Sequence, residues 1–150
     1  MGPFVDRVGV ESVVLARAAA AQCAKILCNV PLQDWLLVLQ RRPNILLEGP
    51  EYAIEQTLVA LIRELPIPVY VWNDVPARPA PNEETTIIAR EVTRLSESER
   101  DAIATWLEKN NASGVQMIST SSVPLFPLVQ QNLFPAELYY RLNVVRLVVS

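Results

Sequence analysis

One hundred and fifty residues are enough chain for one domain with a sizeable core, and 51% hydrophobic with 19% charged residues marks a globular chain rather than a disordered one. A formal charge of −3 argues against a nucleic-acid-binding surface. The absence of histidine removes Ser-His-Asp and Cys-His catalysis together with the commonest metal ligand.

From about Val8 to Cys28, alanines and a stripe at Val10, Val13, Val14, Arg17, Ala18 and Ala21 predict an amphipathic helix. Such a stripe either packs on the rest of the domain or docks on a partner or a second copy. Glu11, Arg17 and Lys25 interrupt it, which excludes a signal-peptide core and a membrane span. Cys23 and Cys28 fall on different faces, so no bridge is expected between them, and a reducing cytoplasm is the natural compartment. Leu32 to Gln40 reads as a second short helix with Trp35, Leu36 and Leu39 on its apolar side. Arg41-Arg42-Pro43 closes it, because the residue before a proline is pushed out of the helical region. The paired arginines read as a solvated helix end near the negative pole of the dipole.

Asn44 to Leu47 is a short apolar run before Gly49-Pro50, which predicts a buried strand and a turn. Glu51 to Glu64 carries Ile54, Leu58, Leu61 and Ile62 at helical spacing, Pro66 and Pro68 stop it, and Val69 to Trp72 is a second strand. Strand, helix and strand make a βαβ unit with a right-handed crossover. Asp74 to Glu84, with Pro76, Pro79 and Pro81, is a loop, and Thr86 to Ala89 is the third strand. Ser96 with Glu99 is a capping-box pattern opening a helix that runs to about Lys109 and buries Ile103, Trp106 and Leu107. Asn110 to Gly114 ends that helix. Val115 to Ser119 is the fourth strand, a short helix lies within Pro124 to Gln131, and Val144 to Val149 is the fifth strand.

The most specific stretch is Glu137-Leu138-Tyr139-Tyr140-Arg141-Leu142-Asn143-Val144-Val145. It resembles the Leu-Tyr-Tyr-Arg-Leu-Asn-Val segment in the AAA+ domain of bacterial sigma-54-dependent transcriptional activators. There it is a short helix leading into the last strand of the core. The resemblance spans about Asn44 to Val149. Asn44 to Gly49 sits where that family has its first strand and the opening glycine of the phosphate loop. Thr85 to Val92 is similar to the Gly-Thr-Leu-Phe-Leu-Asp-Glu-Ile segment that carries Walker B, and Val115 to Thr120 resembles the strand leading to the first sensor.

A phosphate loop needs Gly-x-x-x-x-Gly-Lys-[Ser/Thr], whose amides cradle phosphates while the lysine meets their charge. Under the resemblance Gly49 is kept, Ile54 takes the second glycine position and Glu55 the lysine position. The Walker B aspartate aligns with Arg90 and its following glutamate with Glu91. The first-sensor asparagine aligns with Ser122. Of two family arginines near the C-terminal segment, the earlier is Pro135 and the later Arg141. Arg141 either reaches across a subunit interface or serves an ion pair or helix end. Tyr139 and Tyr140 read as one core ring and one interface ring. No Gly-Ala-Phe-Thr-Gly-Ala loop occupies the interval between the second and third strands, and the sequence given stops after the fifth.

The fold expected from the resemblance is an α/β three-layer P-loop NTPase-like sandwich. It has a five-stranded parallel sheet, without the AAA+ helical lid, with residues 1–43 a helical extension packed on a core of 44–150. The function implied is a non-catalytic interaction or regulatory protein, a pseudo-ATPase without cofactor, working through a protein partner or self-association. The alternative is a nucleotide-binding member of the same family with a role in transcription regulation. In it ATP and Mg²⁺ are held at the vestigial positions Gly49, Glu91, Ser122 and Arg141.

Overall fold

Side chains that alternate along five parallel strands feed two separate apolar layers. The computed structural model describes residues 32–65, 68–74, 84–110 and 114–150. The helix expected over Val8 to Cys28, both cysteines and the prolines of the loop before Glu84 lie outside the described residues. In chain order the elements are α1 (Leu32–Arg41), β1 (Ile45–Glu48), α2 (Glu51–Glu64), β2 (Val69–Val71), β3 (Thr85–Ala89), α3 (Glu97–Asn110), β4 (Val115–Ser121), α4 (Phe126–Gln130), α5 (Ala136–Leu142) and β5 (Val145–Val148). The sheet order is β2-β3-β4-β1-β5, with every neighbouring pair parallel.

Because side chains alternate across a strand, Ile45 and Leu47 face one layer and Leu46 the other. The first layer is closed by Trp35, Val38 and Leu39 of α1 and by Ala53, Ile54, Leu58 and Leu61 of α2. The second is closed by Ile103 and Leu107 of α3 and by Phe134, Leu138, Tyr139 and Leu142 around α5. Each large apolar side chain so buried contributes about 2 kcal/mol. Helices on both faces of a parallel sheet make a three-layer α/β sandwich.

The expected elements are found, with edges displaced by one or two residues. The Ser96 hydroxyl accepts the Glu99 N–H at 3.1 Å while the Glu99 carboxylate returns to Ser96, so the capping box forms and α3 starts at Glu97. Trp106 is half-buried and meets Trp72 edge-on at 6.2 Å between centroids. β1 begins at Ile45 rather than Asn44, whose side chain acts as a clasp instead. Its Nδ2 donates to the Arg141 carbonyl at 2.9 Å and its Oδ1 accepts the Met117 N–H at 2.8 Å.

Arg42 departs from the solvated helix end that the sequence predicts. It takes a left-handed backbone, φ 52°, which turns its side chain back beneath β3. Its Nη2 donates to the Thr85 carbonyl at 3.1 Å and to Thr86 Oγ1 at 3.3 Å, with 12% of the side chain exposed. Burial lowers the guanidinium below its usual value, and Glu84 pulls the other way. Arg41 alone stays exposed.

Candidate functional site

In open parallel sheets, ligands collect at the carboxyl ends of the strands, and there the expected site residues must be sought. β1 ends at Glu48, and only Gly49 and Pro50 separate it from α2. The helix therefore begins within the stretch that the sequence resemblance aligns with an open phosphate loop. The N–H groups of Ala53 and Ile54 both donate to the Pro50 carbonyl at 3.0 Å, as first-turn helical bonds. Proline has no N–H to offer. Gly49 donates to the Ser121 carbonyl at 3.2 Å, and Ile54 is a core residue, 4% exposed.

Gly49 is needed for a close approach. Its φ is 153°, and a Cβ built on it would lie 2.1 Å from the Val149 carbonyl oxygen. The backbone after β5 thus rests on the turn after β1, held there by the Val149 N–H donating to the Glu48 carbonyl at 2.8 Å.

Glu55, on α2, and Arg90, just past β3, form an ion pair in which Arg90 Nη1 donates to Glu55 Oε1. Glu91 follows in a left-handed conformation, φ 46°. Its N–H donates to Thr120 Oγ1 at 2.9 Å. Its two carboxylate oxygens accept from the Ser122 N–H at 2.6 Å and from Thr93 Oγ1 at 3.0 Å. Ser122 enters through its backbone rather than its hydroxyl. Gly49, Glu91 and Ser122 therefore share one edge of the sheet.

Arg141 does not join them. Its carbonyl lies beside Asn44, at the amino ends of the strands, and its guanidinium pairs with Glu137 one turn earlier at 3.4 Å. Pro135, at the position of the other family arginine, caps α5. Tyr139 is 6% exposed and Tyr140 64%, so one ring of the pair is core and the other faces outward.

Two charged residues, one on β1 and one on β5, were not singled out as a pair by the sequence reading. Glu48 is 2% exposed, and its carboxylate accepts from Arg146 Nε on β5 and from the Leu125 N–H at 2.6 Å. The available signal was a charge in each of two otherwise apolar strands: Glu48 closing Ile45–Leu47, and Arg146 inside Val144–Val149. Buried charges are kept only when paired. The edge then holds Glu48, Glu51, Glu55 and Glu91 against Arg90 and Arg146, both already engaged by carboxylates. Among the described residues no group of His, Cys, Asp or Glu is arranged to hold a metal ion, and no helix is long and apolar enough to cross a membrane.

Comparison with known proteins gives this fold a lineage. Three solved structures of NtrX from Brucella abortus are similar to the chain. One, in complex with ATP, has a TM-score of 0.62 at 16% identity, covering 99% of this chain and 43% of that one. Another has a TM-score of 0.59 at 14% identity over 98% and 43%. A third, in complex with ADP, has a TM-score of 0.56 at 14% identity over 97% and 42%. The chain thus spans less than half the length of the NtrX chains it matches, and at these identities the likeness shows the fold, an α/β P-loop NTPase-like AAA+ core. No curated protein matches the sequence. The family model described as the sigma-54 interaction domain matches residues 20–150, which takes in α1 as well as the whole sheet, and the chain belongs to that family.

Proposed function

We propose that this chain is a non-catalytic interaction or regulatory protein, a pseudo-ATPase built on a sigma-54 interaction core. The observation that carries the reading is the Glu55–Arg90 pair. Glu55 stands where the motif has the lysine that meets phosphate, and Arg90 where it has the aspartate that holds Mg²⁺. Each charge is the opposite of what the chemistry requires, and each neutralises the other. The helical start at Glu51 supports the same reading, since Ala53 and Ile54 have spent their N–H groups on Pro50. Glu91, with both carboxylate oxygens engaged, has no free oxygen aimed at a water. These residues do not fit a magnesium-bound triphosphate.

On this reading the molecule acts by contact, in the cytoplasm and in the regulation of transcription, through a protein partner or a second copy. An exposed Tyr140 beside the buried Tyr139 offers an amphipathic ring of the kind that interfaces favour. The competing reading, residual nucleotide binding, draws on the similar NtrX structures that contain ATP and ADP.

Thermal unfolding in the presence of millimolar Mg-ATP and Mg-ADP separates the two. A ligand present at a hundred times its Kd adds about 2.7 kcal/mol to stability. The expected result is no shift with either nucleotide and no release of phosphate. A magnesium-dependent rise in Tm overturns the proposal.

A further inference from the structure

Two adjoining hollows, of about 270 and 380 Å³, lie along α3 where α5 and the segment before it approach. They share Arg100 and Pro135 as walls. Their apolar surface comes from Ala104 and Leu138 in the first and from Val129, Leu133 and Phe134 in the second. Leu133 is 58% exposed, so an apolar anchor has a place to seat.

The rim is acidic. α3 contributes Glu97, Asp101 and Glu108, exposed and spaced so that they fall along one side of the helix. None of the three forms an ion pair among the described residues. Glu137 adds a fourth carboxylate from α5, and the two cations present are already occupied. Arg141 pairs with Glu137, and Arg100 lies 5.1 Å from the centroid of the Phe134 ring while donating to the Leu133 carbonyl at 3.1 Å.

We propose that this groove is a docking site for a basic amphipathic segment of another protein. That segment places apolar side chains in the two hollows and Lys or Arg against Glu97, Asp101 and Glu108. The inference rests on the interaction-protein reading and names the chemistry of its partner. From Glu97 to Glu108 the carboxylates span about 16 Å of helix, which a partner helix of about three turns matches. Charge excludes the other occupants. Nucleic acid and anionic membranes are repelled by this rim, and no described helix of the chain carries a row of Lys or Arg to face it in a second copy.

The test is a selection of phage-displayed random peptides on the intact chain, followed by titration of the winning peptide as a synthetic ligand. The expected winners combine apolar residues with Lys or Arg on one helical face. Their Kd rises about tenfold or more against the Asp101→Lys, Glu108→Lys double variant and rises with salt. The Asp101→Asn, Glu108→Gln variant, which keeps the shape, weakens binding less. Binding to a Gln40→Lys, Gln56→Lys control on α1 and α2 is unchanged. Winners without basic residues, or equal binding to the charge-reversed groove, overturn the proposal. Phosphate release from ATP is measured on the same sample. Hydrolysis alongside groove-dependent binding overturns the non-catalytic reading alone, and binding indifferent to the groove without hydrolysis overturns the groove alone.

Discussion

Arg90 reaches across from the end of β3 to donate to Glu55 on the second turn of α2, and on the proposed reading these are the positions at which the family motif has aspartate and lysine. The charges are exchanged but the electrostatic sum is preserved. On that reading a side-chain pair bridges the gap that a metal and a phosphate bridge in the motif.

That exchange is reversible on paper, which gives the first prediction. Glu55→Lys alone sets two cations face to face, and Arg90→Asp alone two anions, so each lowers stability. Because both side chains are about half exposed, the loss stays under about 1 kcal/mol. The double variant Glu55→Lys, Arg90→Asp recovers it, as a thermodynamic cycle of thermal melts will show. It still binds no Mg-ATP, since α2 begins too early to leave amides for phosphates. Nucleotide binding by the double variant would show that charge alone had closed the site.

Gly49→Ala is expected to be costly for a steric reason. The added methyl overlaps the carbonyl of Val149, a residue whose own N–H is bonded to the Glu48 carbonyl. Forcing the β5 end away costs roughly 2 kcal/mol, a fall in Tm of roughly 4–8 °C. An unchanged Tm would mean that the end of β5 yields freely.

Glu48 and Arg146 are expected to be asymmetric partners. Glu48→Ala leaves the buried Leu125 N–H without its acceptor and costs about 1–3 kcal/mol, while Arg146, half exposed, is rehydrated. Arg146→Ala leaves a buried carboxylate with a single donor and costs as much or more. The double variant Glu48→Ala, Arg146→Ala costs less than the two single variants summed. Urea unfolding of the set decides it, and full additivity would mean the pair is not coupled.

Asn44→Ala removes both ends of the clasp between α5 and β4. We expect a loss of about 1–2 kcal/mol and faster amide exchange through residues 141–148, because Val145 N–H is bonded to the Asn44 carbonyl and shares its position. Asn44→Asp keeps an acceptor for Met117 but loses the donor to Arg141, so exchange rises at α5 and not at β4. Equal protection in all three proteins would relegate the clasp to a bystander.

How much of this the sequence showed depends on the range of the interaction. Helices with local signals were legible: the Ser96–Glu99 box started α3, and proline bounded α2. The identities at Ile54, Glu55 and Arg90 were legible through a motif of fixed spacing, which is itself a local pattern. What the sequence could not carry were meetings between distant residues. Arg41 and Arg42 look alike on paper, yet a single left-handed residue sends Arg42 under β3 and leaves Arg41 outside. Glu48 closes a short apolar run in the sequence, and only the proximity of β5, almost a hundred residues on, makes it a buried ion. Glu55 and Arg90 were each read as a lost function, and only the fold brings them together as a pair.

The sheet order has a consequence for how the chain is made. β1 pairs with β4 on one side and β5 on the other, Ile45 standing opposite Ile118 and Val145. During synthesis the apolar run Ile45 to Leu47 leaves the ribosome long before either neighbour exists. Until β4 has emerged, the one ladder the described strands can form is β2 with β3. The centre of the sheet therefore cannot be assembled before β4 emerges, β5 is added last at the edge, and the hazard of aggregation for the nascent chain is concentrated in its first strand.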